Sequence, residues 1–133
     1  MDESKSEYLK YRIERAKETI REARNAIDND LLFNAQNRIY YAIFYIVSAF
    51  ALKNNFSTSK HMQLMAWFNV NFINTKKLDV ELMKIYSKAY KFRQKGDYQD
   101  MVYFTKEEME SNFADMLKFV SEIEKVIEEN KND

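Results

Sequence analysis

Asn34-Ala-Gln-Asn-Arg-Ile-Tyr-Tyr-Ala-Ile-Phe-Tyr-Ile-Val-Ser-Ala-Phe-Ala-Leu52 decides the fold. Leu32, Ala35, Ile39, Ala42, Ile46 and Ala49 repeat at alternating steps of three and four, the spacing of one helical face. Phe33, Tyr40, Phe44, Val47 and Ala51 form a second apolar face. Between the two runs a third line: Asn34, Arg38, Tyr41, Tyr45 and Ser48. A helix apolar on nearly every side belongs in the middle of a bundle. A buried Arg and several hydroxyls there must find partners, because an unpaired buried charge is costly. The polar line is therefore the first place to look for a site or a subunit contact.

Working outward, the same spacing predicts four further helices. Leu9, Ile13, Ala16, Ile20, Ala23 and Ile27 give a bundle seam over residues 4–28, with Ser4 and Glu7 as a capping box. The central helix spans about 31–54 and ends at Asn54-Asn55, residues that tolerate a left-handed cap. Ser57-Thr58-Ser59 offers N-cap candidates for a shorter helix over 59–73, with Met62, Met65, Phe68 and Phe72 as its apolar set. Leu78, Leu82, Ile85, Ala89 and Phe92 mark a fourth helix over 78–94. Gly96 then breaks the pattern, so residues 95–104 read as a loop. Thr105 with Glu108 is a second capping box, and Met109, Phe113, Met116, Val120, Ile123 and Ile127 carry the last helix over 106–129. Long helices joined by short loops give an all-α, up-and-down antiparallel bundle of about five helices, with residues 1–133 expected to form one domain.

Composition supports this and removes several function classes. There is no Pro and one Gly, so the punctuation of sheets and tight turns is nearly missing. There is no Cys, which excludes disulfides, thiolate metal sites and a cysteine nucleophile, and suits a cytoplasmic protein. The start, Met1-Asp-Glu-Ser-Lys-Ser-Glu, has no look of a secretory signal. The apolar run Ile39–Leu52 falls short of the about 20 residues that span a bilayer, so no membrane role is expected. His61 is the one histidine and no Cys accompanies it, so no metal site and no cofactor is expected.

The net charge of zero hides a division. Residues 53–95 carry nine Lys/Arg and two acids, Asp79 and Glu81, whereas residues 97–133 carry four Lys and eleven acids. Either the basic middle meets a polyanion or acidic partner, or the helices neutralise one another inside the bundle. The fourth helix sorts its residues likewise. Tyr86, Tyr90, Arg93 and, were the helix to continue, Asp97 lie on one flank; Lys84, Lys88, Lys91 and Lys95 lie on the other. The lysine line is either a solvated face or a track for phosphates. Arg93 is either a cation at a helix C-terminus or a group that holds a phosphate or carboxylate, with Asp97 and Tyr98 in reach.

Three segments together resemble a known family. Asn37-Arg38-Ile39-Tyr40-Tyr41-Ala42-Ile43-Phe44 resembles the second-helix signature of HEPN (higher eukaryotes and prokaryotes nucleotide-binding) domains. Ser59-Lys60-His61 followed by Phe68 and Phe72 is similar to the third helix. Arg93-Gln94-Lys95-Gly96-Asp97-Tyr98 is similar to the Arg-x-x-x-Asp-Tyr segment of the small stand-alone bacterial and archaeal branch. The likeness covers about residues 6–127. It implies a helical bundle that commonly dimerises, often encoded beside a small nucleotidyltransferase in a toxin–antitoxin pair. The toxin branch is a metal-independent ribonuclease marked by an Arg, four to six residues, then a His. Here only Arg93 carries over; Tyr98 stands where that His would be, and His61 precedes Arg93.

The reading favoured is a dimeric module that binds a nucleotide, an RNA or a nucleotidyltransferase partner, without strong catalysis. Arg38, Tyr41, Arg93, Asp97 and Tyr98 would line its cleft. The alternatives are a ribonuclease using Arg93 with Tyr98 or His61, and a purely structural helical adaptor.

Overall fold

A computed structural model describes residues 2–129; Met1 and residues 130–133 lie outside it. Five α-helices make up the fold: α1 (Glu3–Asp28), α2 (Leu32–Lys53), α3 (His61–Phe68), α4 (Val80–Tyr98) and α5 (Lys106–Glu129). No strand occurs among the described residues. Twelve of the 22 residues of α2 are buried, more than in any other helix, and α2 packs on α1, α3, α4 and α5. It is the central helix that its all-round apolarity demands.

The side-chain contacts give the direction of each helix. Arg12 meets Ser48, Arg15 meets Tyr45, and Glu22 meets Arg38, so α1 and α2 run antiparallel. Tyr41 meets Arg93 and Asn37 meets Asp97, so α4 runs against α2. Lys17 pairs with Glu124 and Arg24 with Glu110, so α5 runs against α1. The connections are tight. Asp30 closes the α1–α2 turn at φ 58°, and Asn55 follows α2 at φ 63°, the left-handed conformation its short amide tolerates. In the core, Asn112 Nδ2 donates to Gln36 Oε1 at 3.0 Å and Gln36 Nε2 to the Ala89 carbonyl at 3.4 Å, tying α5, α2 and α4 through satisfied polar groups.

Several expected boundaries move. Asp2, not Ser4, caps α1: its carboxylate accepts from the Lys5 backbone N–H at 2.8 Å. The Ser57-Thr58-Ser59 stretch does not cap α3, which starts at His61; the Thr58 hydroxyl instead accepts from the Lys60 N–H at 3.1 Å. Regular α-helix stops at Phe68, and a π-helical turn covers Asn69–Ile73. Met62 points outward, while Leu64, Met65 and Phe68 are buried. The fourth helix starts at Val80 behind Asp79, which caps the Glu81 N–H. The capping box of α5 forms in both directions, Thr105 N–H to Glu108 and Glu108 N–H to Thr105 Oγ1.

The main correction concerns Gly96. It does not end α4; the helix continues to Tyr98. Its phenyl neighbours explain the glycine. A Cβ there would stand 2.9 Å from Phe104 Cε2 and 3.3 Å from Phe33 Cδ1. Gly96 is a packing notch on which the α4–α5 connection closes, at the ordinary cost of a glycine inside a helix, about 1 kcal/mol relative to alanine.

Candidate functional site

Continuing α4 past Gly96 places Asp97 one turn beyond Arg93 and builds the site. Arg93 Nε donates to Asp97 Oδ2 at 2.9 Å, and the same oxygen accepts from Asn37 Nδ2 of α2 at 3.0 Å. Asn37 in turn offers its Oδ1 to Arg38, at 3.1 Å from Nε and 2.7 Å from Nη2, and Arg38 Nη1 reaches Glu22 of α1 at 3.2 Å. A single chain of polar contacts thus links α1, α2 and α4: Glu22, Arg38, Asn37, Asp97, Arg93.

Aromatic rings form the bed of this chain. The Arg93 guanidinium lies 5.5, 5.4 and 5.4 Å from the ring centres of Tyr40, Tyr41 and Tyr98. Arg38 lies 5.2 Å from the same Tyr41 ring. Tyr41 is therefore shared by two guanidinium groups, and its ring quadrupole attracts both. Arg93 also donates to the hydroxyls of Tyr41 (3.3 Å) and Tyr98 (3.4 Å). Burial works against its charge, but Tyr41, Tyr98 and Asp97 outweigh burial and hold its pKa above the ordinary value.

His61, brought from the first turn of α3, completes the patch. Its ring stacks on Phe44 at 4.4 Å and on Tyr40 at 5.5 Å, and meets Tyr41 edge-on at 5.7 Å. Burial first, and the Arg93 cation second, lower its pKa below the usual 6.5. His61 is thus neutral at pH 7. Its Nδ1 lies 2.5 Å from the Tyr40 hydroxyl. Burial pushes the Tyr40 phenol up, so that hydroxyl keeps its proton, and among the described residues it has no other acceptor. The proton therefore goes to Nδ1, which leaves Nε2 carrying the ring N–H. In this arrangement His61 offers a donor, not a base.

All six residues singled out from the sequence, Arg38, Tyr41, His61, Arg93, Asp97 and Tyr98, come together here. Of the remaining members of the polar line, Asn34 is exposed, whereas Tyr45 and Ser48 are bound within the chain. Tyr45 receives the Arg15 guanidinium over its ring at 4.9 Å and on its hydroxyl at 3.2 Å. The buried Ser48 gives its carbonyl to Arg12 at 3.0 Å. Sequence reasoning passed over Asn37, Tyr40 and Phe44 as site residues. The signal was available for Asn37, which sits one turn before Tyr41 on the face toward α4. Tyr40 and Phe44 sat on an apolar face, and only the position of α3 turns them toward the site.

This arrangement can be set beside known proteins. The HEPN domain family model matches residues 9–129. The chain belongs to the HEPN domain family. It is 39% identical over 127 residues to a Thermotoga maritima protein named "UPF0332 protein", covering 96% of each chain. Two Methanocaldococcus jannaschii proteins are also similar. "Putative toxin MJ0605" is 33% identical over 117 residues, 88% of this chain and 87% of that one. "Putative toxin MJ0142" is 36% identical over 98 residues, 74% of this chain and 67% of that one. This HEPN chain has no cluster of three or more His, Cys, Asp or Glu suited to a metal among its described residues, and no described helix is long and apolar enough to cross a membrane.

Proposed function

We propose that this HEPN domain holds a phosphate-bearing ligand, a nucleotide or an RNA backbone, on Arg93, and acts as one component of a toxin–antitoxin-like pair. The observation that carries the reading is the sharing of Tyr41 by Arg93 and Arg38. Two guanidiniums flank one ring at a part-exposed mouth, each paired with one carboxylate, Arg93 with Asp97 and Arg38 with Glu22, and a phosphate would take the place of a carboxylate on the Arg93 fork. A guanidinium suits phosphate because its planar fork gives two parallel hydrogen bonds. The Nε2–H of His61 and the Tyr98 hydroxyl supply further polar contacts. The names of the Methanocaldococcus relatives favour the toxin–antitoxin setting, and the family resemblance makes a nucleotidyltransferase the expected partner.

The same reading includes a homodimer. Tyr41, Phe44 and Tyr45 are only partly buried on the central, largely apolar helix, and a two-fold contact would cover them. Light scattering at micromolar concentration tests this: a dimer is expected for the wild type and dissociation for Tyr45→Glu, and a wild-type monomer contradicts it.

Binding is tested with a fluorescein-labelled single-stranded RNA oligonucleotide and labelled ATP, followed by anisotropy. Arg93→Lys keeps the charge and loses the fork, so affinity should fall at least about tenfold. Unchanged affinity for both probes removes Arg93 from the site.

A second reading, metal-independent RNA cleavage, is favoured by one fact: Arg93 and His61 both border the Tyr40–Tyr41 pair. With Nδ1 occupied by Tyr40, however, His61 is placed to steady an oxyanion rather than to take a proton. An RNA integrity assay separates the two readings. Intact RNA with wild-type protein supports binding alone, whereas cleavage that His61→Gln abolishes establishes the enzyme.

A further inference from the structure

The lysine flank of α4 is separate from the Arg93 site and has a different character. Lys84, Lys88, Lys91 and Lys95 are exposed, and none forms an ion pair with a described residue. They border an open groove of about 610 Å³ between α4 and the π-helical turn. Its floor is apolar: Val80, 57% exposed, with Met83, Ile73 and Phe92. Asp79 and Glu81 sit at the N-terminal end of α4, and Glu107, Glu108 and Asp115 of α5 border Lys88 on the side away from the groove without forming an ion pair with it.

A phosphate track explains the lysines but not the floor. Bases could use it only by stacking on an aromatic face, and the one aromatic ring present, Phe92, has none free. Phe104 is stacked on it with planes 7° apart, and the Lys88 and Lys95 ammonium groups lie 5.4 and 5.5 Å from its centre. The groove also contains no Arg, the residue whose fork matches a phosphate. What satisfies both features is a helix with one apolar face and acidic flanks, laid in the groove.

We infer that the groove beside Lys84, Lys88, Lys91 and Lys95 docks an acidic amphipathic helix of a protein partner. The four lysines extend over twelve residues of helix, a rise of about 16 Å, or three turns. The partner helix therefore carries carboxylates at matching one-turn intervals along a Leu/Ile stripe that covers Val80 and Met83. The inference is independent of the ligand assigned to Arg93.

The test uses the full chain and three labelled probes: an 18-residue amphipathic peptide with Leu on one face and Glu on its flanks, the same peptide with Lys in place of Glu, and a single-stranded RNA oligonucleotide. Two neutral variants separate charge from floor: Lys84→Gln with Lys88→Gln and Lys91→Gln, and Val80→Ser with Met83→Gln. The acidic peptide should bind, weaken at least about tenfold in each variant, and be indifferent to Arg93→Lys. The Lys-flanked peptide should not bind. Absence of acidic-peptide binding, equal binding of the two peptides, or acidic-peptide binding unaffected by Val80→Ser with Met83→Gln each overturns the inference. RNA binding that falls in the lysine variant but not in the floor variant, without peptide binding, makes the flank a nucleic-acid track instead. Circular dichroism confirms that each variant is folded.

Discussion

The two flanks of α4 handle positive charge in opposite ways. On one, the Arg93 side chain is 12% exposed and is held by a carboxylate, two phenol hydroxyls and three rings. On the other, four exposed lysines form no ion pair with a described residue. The first flank is cross-braced into α2 through Asn37 and Tyr41, so its geometry is fixed before any ligand arrives. The second is a row of flexible point charges above an apolar strip, suited to a partner that brings its own shape. The difference follows from residue type: a guanidinium tolerates partial burial because its donors can all be satisfied at once, whereas an ammonium is strongly hydrated and stays outside.

The contrast can be broken first at its most buried element. Tyr40 has no exposed surface, packs against Arg93, His61 and Tyr90, and bonds His61. Tyr40→Ala should cost about 3–5 kcal/mol in urea unfolding, the scale of deleting a buried aromatic ring. A cost below about 1 kcal/mol would mean that the site is not braced. Next in size is Arg93→Ala, which strips Asp97 of its cation and should cost about 1–2 kcal/mol, discounted for partial exposure. Arg93→Lys should leave the melting temperature nearly unmoved while binding falls, and a variant that binds normally but melts early would assign Arg93 to the fold.

Acidification sharpens the comparison, since His61 belongs to the first flank alone. Its folded pKa lies below the unfolded 6.5, so above that pH it is neutral in both states and its contribution is fully present. As the pH falls below 6.5 the unfolded chain takes up the proton first, and stability declines until the folded pKa is passed. Thermal unfolding of wild type between pH 7.5 and 5 should show this decline, and His61→Phe should flatten it. An equal slope in the variant would place the titration elsewhere.

The smallest effect belongs to the lysine flank. Lys84, Lys88, Lys91 and Lys95 repel one another at steps of four and three. Changing the first three to Gln should therefore alter stability by no more than about 0.5 kcal/mol, in the stabilising direction. A clear loss of stability would reveal a structural role that the geometry does not give them.

The helices were legible because each buries one stripe, and a stripe leaves a period of three and four in the chain. The central place of α2 could be read from its lack of a polar side. Gly96 was misread because a glycine inside a helix and a glycine after one look alike in sequence; only Phe33 and Phe104, distant in the chain, show that the gap is filled by rings. The start of α3 was misplaced since Thr58 spends its hydroxyl on a turn before the helix. Arg38, Tyr41, Arg93 and Asp97 could be grouped because helical spacing aligned each pair on its own helix. The convergence of His61 with Tyr40 and Phe44 could not be read, because it depends on how α3 crosses α2, and no local pattern encodes that crossing.

NMR distinguishes a phosphate-bearing ligand held on the Arg93 flank from one held on the lysine flank. Isotope-labelled protein is titrated with a short single-stranded RNA while the Arg93 Nε–H, the His61 ring and the α4 backbone amides are followed. With the ligand on Arg93, the Arg93 and His61 signals should shift together and saturate, with the Asn37–Tyr41 amides following and those beside Lys84, Lys88 and Lys91 still. Shifts that centre on the lysine flank, with Arg93 Nε–H unmoved at saturation, would contradict that placement.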